Sequence, residues 1–149
     1  MSFATGTPIN ISSTAQQAIE TITAGDTVYA ADYANPAQWS EQAIHEAAPR
    51  NFQPGIMTIR YQLATGPIDI TVTNNQPFLL STKATKQAYQ LTKHDYLLTP
   101  TGESVAILEV LDDTVGYTHD IIVSTTGANW IVAGGVVCGD AVIQRALLP

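Results

Sequence analysis

The chain has 149 residues, 45% of them hydrophobic and 13% charged, a composition that folds and a length that favours one domain with a sizeable core. Its 13 acidic against 6 basic residues leave a formal net charge of −7, which repels phosphate backbones and excludes nucleic acid as the default partner. No apolar run reaches the roughly 20 residues of a membrane span, no basic and then apolar leader opens the chain, and the single Cys138 excludes an internal disulfide or a multi-cysteine metal site. The expectation is one soluble, monomeric domain over residues 1–149, with no cofactor, metal, nucleic-acid or membrane partner.

In chain order, no internal repeat or low-complexity tract stands out. Ala15 to Ile22 reads as a short helical piece, and Thr27-Val28-Tyr29-Ala30 as a strand after the turn signal Gly25-Asp26. Residues 34–55 hold Asn35-Pro36, Pro49 and Pro54-Gly55 and read as a long connection. Its middle, Trp39 to Ala48, carries helix formers behind a Ser40 cap, or is an extended segment in which tertiary context overrules propensity. Ile56 to Leu63, the turn Thr65-Gly66-Pro67 and the strictly alternating Ile68 to Thr73 predict a hairpin. Lys83 to Leu91 reads as a second short helical piece. Tyr96-Leu97-Leu98 with Ser104 to Leu111 predicts a second hairpin, and Ile121-Ile122-Val123 with Trp130 to Ala133 a third. Gly134-Gly135 then leads into Val136-Val137-Cys138. Many short strands at close turn spacing predict an all-β sandwich or barrel-like fold.

Four stretches, in order, resemble one family. Ser2-Phe3-Ala4-Thr5-Gly6-Thr7-Pro8-Ile9 is similar to an opening Cys-Phe-x-x-Gly-Thr-x-Ile, with Ser2 at the nucleophile position. Ala18 to Val28 contains the Glu20 and Gly25-Asp26 of the stretch that follows. Thr73-Asn74-Asn75-Gln76-Pro77-Phe78 is similar to Thr-x-x-His followed by Pro-Phe. Trp130 to Asp140 is similar to a last strand pair that ends in His-Asn. Ala88 to Leu98 adds a lesser match. The chain thus resembles the Hint domain, the fold of inteins and of hedgehog autoprocessing domains, over about residues 2–144. The resemblance implies an all-β horseshoe of short antiparallel strands with one or two short helices.

It also implies a chemistry: single-turnover cleavage of the peptide bond before residue 2. The side chain of that residue attacks the preceding carbonyl, an ester or thioester replaces the amide, and the Thr-x-x-His motif orients the amide and assists its nitrogen as leaving group. The implied partner is an upstream polypeptide fused to the domain in a larger precursor. On that reading the chain starts at a boundary inside a precursor, with Ser2 native or replacing a Cys; a start at Met1 leaves nothing upstream to cleave. Carried over residue by residue, the site is Ser2, Thr73, Gln76, His119, Asp120 and Asp140. Ser2 is a weaker nucleophile than Cys, because so little of a hydroxyl is ionised near neutral pH. Gln76 stands where His is expected and carries no proton at neutral pH. His119 or Asp120 could assist, a His beside a carboxylate having a raised pKa, but adjacent strand residues face opposite ways, so only one of them faces the site; a polar hairpin position explains both as well. Thr73 also fits an ordinary strand threonine. Gly139 and Asp140 occupy the places of the terminal His and Asn, and Ala141 follows where splicing needs Ser, Thr or Cys. These departures imply no splicing and impaired cleavage. The alternative is a degenerate Hint domain that serves as a structural or protein-binding module. Cys138, in an apolar run, reads as a small buried hydrophobe.

Overall fold

The computed structural model describes residues 3–47, 51–112, 115–124 and 127–146, without the side chains of 51–53 and 145. From the N-terminus come β1 (Phe3–Ala4), β2 (Pro8–Asn10), β3 (Gln16–Ala18), β4 (Thr27–Asp32), β5 (Trp39–Ala43) and β6 (Glu46–Ala47). Next are β7 (Asn51–Pro54), β8 (Ile56–Leu63), β9 (Gly66–Thr73), β10 (Pro77–Leu79), β11 (Thr85–Gln87) and β12 (Tyr96–Leu98). Last are β13 (Ser104–Asp112), β14 (Val115–His119), β15 (Ile121–Ile122), β16 (Asn129–Ala133), β17 (Val136–Gly139) and the helix α1 (Ala141–Ala146). One antiparallel sheet runs β12-β13-β8-β9-β1-β14-β7, and a second runs β11-β10-β17-β16-β2-β3 with β4 and β5 attached through β16. β6 pairs with β15.

The β8–β9 hairpin follows from its alternation. Met57, Ile59 and Tyr61 stand opposite Val72, Ile70 and Ile68 and turn inward. On the other face the Thr58 and Thr71 hydroxyls meet at 2.9 Å, and Arg60 forks onto Asp69 at 2.8 and 3.1 Å. The turn is Ala64-Thr65, with Leu63 opposite Gly66, so Gly66 and Pro67 belong to β9 rather than to the expected turn. β13 continues this pattern only because its register shifts between Ile107 and Glu109. That bulge leaves Leu108 exposed, returns Val110 to the side of Ile59 and sets Glu109 beside Arg60.

The third expected hairpin is not formed. Gly134 and Gly135 have φ of +57° and +81°, the conformation of a two-residue hairpin turn, so β16 pairs with β17 from Ala133↔Val136 to Trp130↔Gly139. Ile121-Ile122 pairs instead with β6. From Trp130 to Cys138 the β16–β17 hairpin has no polar side chain, because it is buried on both faces. Ile131, Ala133, Val136 and Cys138 join one core with Phe3, Ile59, Tyr61 and Phe78. Trp130 and Val137 join another with Ala31, Leu79, Leu98 and Ile143.

One open choice is settled and two helical expectations are corrected. Trp39 to Ala43 pairs residue for residue with β4, and Trp39 stacks on Tyr29 at 5.4 Å, so the extended alternative holds over pairing and packing that propensity does not see. Ala15–Ile22 and Lys83–Leu91 are each a short strand followed by a 3-10 turn, Ile19–Thr21 and Ala88–Gln90.

The expectation of no internal repeat is also corrected. Pro8↔Ala18 in the β2–β3 pair matches Pro77↔Gln87 in the β10–β11 pair. Ile19 N donates to Thr7 O, and Ala88 N to Gln76 O, both at 2.9 Å. Thr23 N and Thr92 N are each capped by an aspartate three residues on, Asp26 and Asp95, both at 2.9 Å. The two halves flank the β16–β17 hairpin, β2 against β16 and β10 against β17. Few identical residues carry this repeat, because what recurs is a backbone path with apolar positions and one Asx-type turn.

Candidate functional site

The repeat places equivalent turns at the two positions singled out by the sequence. Thr7 N closes onto Ala4 O at 3.2 Å in the first half, and Gln76 N closes onto Thr73 O at 3.0 Å in the second. Strand β1 joins them. Phe3 lies opposite Val72 on one side and His119 on the other. The next residue along one neighbour is Thr73, and along the other Asp120; both are buried. Ser2, bonded to Phe3, lies outside the described residues.

Gln76 is fully buried and ties two elements together. Its Nε2 donates to Pro77 O at 3.0 Å and to Gly139 O at 2.8 Å, which uses both amide hydrogens. Its Oε1 is buried with no hydrogen-bond partner among the described residues. The side chain therefore fastens the turn after β9 to the end of β17 and has no N–H left for a substrate amide.

Asp140 is the N-cap of α1. Its Oδ1 accepts from Val142 N and Ile143 N, both at 3.1 Å, and its backbone carbonyl accepts from Gln144 N at 3.1 Å. Its Oδ2 is buried with no hydrogen-bond partner in close geometry among the described residues. Burial pushes the carboxyl up to about 6, opposed by the backbone amides of Ile143, Asn129, Val123 and Val142. The peptide bond after Asp140 is thus the first bond of a helix, with the side chain and the carbonyl of Asp140 both engaged. Cyclisation would require that side chain to leave the cap and attack that carbonyl.

The helix also occupies the adjoining place. A Cβ added at Gly139 would lie 2.9 Å from Ile143 Cγ2 and 3.1 Å from Pro77 Cβ, so a histidine there would displace α1. Gln144 lies outside the four motif-like stretches of the sequence. Gln144 is buried on α1, and its Nε2 donates to Asn75 Oδ1 at 2.6 Å and reaches Thr73 Oγ1 at 3.4 Å. An aspartate followed by Ala-Val-Ile-Gln-Arg-Ala was the available cap-and-helix signal.

His119 is buried with its Nε2 3.0 Å from Thr5 Oγ1. On the same flank Glu20 Oε1 accepts from Gly6 N at 2.8 Å; hydrogen bonds to backbone amides are the main reason its carboxyl lies below the ordinary range, with His119 adding a smaller electrostatic pull. Thr73, Gln76, Asp140 and Gln144 form one connected cluster, and the bond to Thr5 joins His119 to the N-terminal flank. Cys138 is buried, and burial raises its thiol pKa well above the ordinary value, as expected of a core residue. Among the described residues no group of three or more His, Cys, Asp and Glu is placed to hold a metal ion. No helix among them is long and apolar enough to cross a membrane.

Comparison with solved structures defines the architecture. A bacterial intein-like domain from Clostridium thermocellum superposes with a TM-score of 0.72 at 21% identity, over 93% of this chain and 97% of that one. A DnaB intein from Synechocystis sp. PCC 6803 gives 0.67 at 14% identity, over 94% and 98%. The gp41-1 intein gives 0.69 at 15% identity, over 93% and 98%. No protein-family model and no curated protein sequence matches the chain. The fold is the Hint, or intein-like, all-β fold.

Proposed function

We propose that the chain is an intein-like autoprocessing module that cleaves the bond before residue 2 with impaired efficiency and does not splice. The Ser2 hydroxyl attacks the preceding carbonyl carbon, the C–N bond breaks, and the hydroxyl proton moves to the departing nitrogen, leaving an ester and a free amine; water or an added nucleophile then attacks the ester carbonyl, the C–O bond breaks, and the upstream segment leaves as the Ser2 hydroxyl regains a proton. With Cys at residue 2 the intermediate is a thioester. The observation that carries this reading is the placement of β1. Phe3 is held between β9 and β14, with Thr73 and Asp120 as the next residues on either side. Thr73 and Asp120 are both buried, and catalytic groups fixed beside the strand that carries the nucleophile suit an intramolecular single turnover. Thr73 orients the amide and Asp120 or His119 assists the nitrogen. The capped, helical bond after Asp140 supports the absence of splicing.

A specific observation favours a second reading, a degenerate domain kept as a structural or protein-binding module. Both Gln76 hydrogens serve structural bonds, so this side chain neither polarises nor protonates the scissile amide.

The test is intact-mass analysis of fusions in which a folded reporter precedes residue 2, with Ser2 and with Ser2→Cys, incubated with and without hydroxylamine or dithiothreitol. Cleavage before residue 2, faster with added nucleophile and faster with Cys, is the expected result. Two folded fusions that both stay intact would leave the structural or binding reading.

A further inference from the structure

We propose that Gln144 is a positioning residue for Thr73, delivered by a helix that stands where a splicing domain would have its C-terminal junction. This rests on the autoprocessing reading and adds to it a residue from outside the resembling motifs. Helix α1 follows β17 directly, is capped by Asp140, and packs Ile143 against Gly139 tightly enough to leave no room for a Cβ. That seating carries Gln144 into the turn after β9. Its amide bridges Asn75 Oδ1 at 2.6 Å and Thr73 Oγ1 at 3.4 Å, with the side chain buried.

The bridge has a chemical consequence. A hydroxyl can accept twice and donate once. An N–H directed at Thr73 Oγ1 occupies an acceptor site on that oxygen and restricts rotation of the O–H. The hydroxyl so held is the one that orients the scissile amide. The shorter bond to Asn75 fixes the donor, so Gln144 braces two residues of a turn otherwise closed by Gln76 N onto Thr73 O at 3.0 Å. In this chain Gln76 braces that turn from β17 and Gln144 braces it from α1. The C-terminal segment thereby becomes part of the N-terminal cleavage apparatus.

The experiment uses the Ser2→Cys reporter fusion of the full chain and compares it with Gln144→Ala and Gln144→Met, folding being checked by near-ultraviolet circular dichroism. Met keeps the length and buried volume of Gln but has no N–H, so it decides the matter should the Ala variant unfold. The cleavage rate is followed against hydroxylamine concentration. The expected result is a limiting rate at least fivefold lower in both variants, with the hydroxylamine concentration for half that rate unchanged. A folded Gln144→Met fusion within twofold of its parent overturns the proposal, because packing alone then suffices. An intact Ser2→Cys parent overturns the autoprocessing reading, and this inference with it.

Discussion

Single side chains at the end of β17 set measurable pH behaviour. Asp140 has its folded pKa raised to about 6 by burial, above the roughly 3.9 of an unfolded aspartate. The folded state therefore holds this proton more tightly. The stabilising contribution is complete below about pH 4, declines as pH rises and is lost above about pH 6, a difference on the order of 2–3 kcal/mol. Asp140→Asn keeps an oxygen for the Val142 and Ile143 amides and removes the buried charge. Its expected effect is a gain of about 1–3 kcal/mol at pH 7.5 that shrinks towards zero at pH 4, read from urea melts across that range. Gln76 yields a second prediction. In the Ser2→Cys fusion, Gln76→His introduces a group able to carry a proton to the departing nitrogen, and the cleavage rate should rise on the order of tenfold or more. An unchanged rate in a folded variant would favour the degenerate module.

At the scale of elements, the β16–β17 hairpin makes a buried hydrogen bond to the other sheet. Tyr61 is buried, and its hydroxyl donates to Gly134 O at 2.6 Å. Burial raises its phenol pKa well above the ordinary value, so the hydroxyl remains a donor. Gly134 has φ +57°, and an added Cβ would run into that hydroxyl. Gly134→Ala should therefore cost about 2–3 kcal/mol, from strain and from overpacking together. Tyr61→Phe should cost about 1–2 kcal/mol for the lost buried hydrogen bond. In the double variant the Ala penalty should fall, since the phenyl ring leaves room; a urea-melt cycle measures that coupling.

For the whole molecule, the two halves meet at the β16–β17 hairpin, and Cys138 reports on that junction. It is fully buried, opposite Ile131 on one neighbour and Phe78 on the other. Alkylation should therefore require opening of the central sheet. The expected outcome is a native-state labelling rate whose urea dependence matches that of global unfolding. Fast labelling with a weak urea dependence would show that β17 opens on its own.

The sequence by itself determined the all-β class and the β8–β9 and β12–β13 hairpins, because period-two alternation and turn chemistry are local properties of the chain; Thr73, Gln76 and Asp140 stand out only through the resemblance to the Hint motifs. It left Trp39 to Ala43 open between helix and strand, since that choice depends on the pairing of β4 and on the Tyr29–Trp39 stack. It placed Ile121-Ile122 against Trp130 to Ala133, because both segments are short and apolar and nothing local names a partner from β6. The repeat escaped notice for a related reason: hydrogen bonds such as Ile19 to Thr7 and Ala88 to Gln76 conserve a backbone path that few identical residues mark. Only the tertiary structure decided that Gln76 is a crosslink to Gly139, that Asp140 caps a helix and that Gln144 reaches Thr73. Those roles come from contacts between residues far apart in the chain, where distance and burial, rather than spacing, set the chemistry of each side chain.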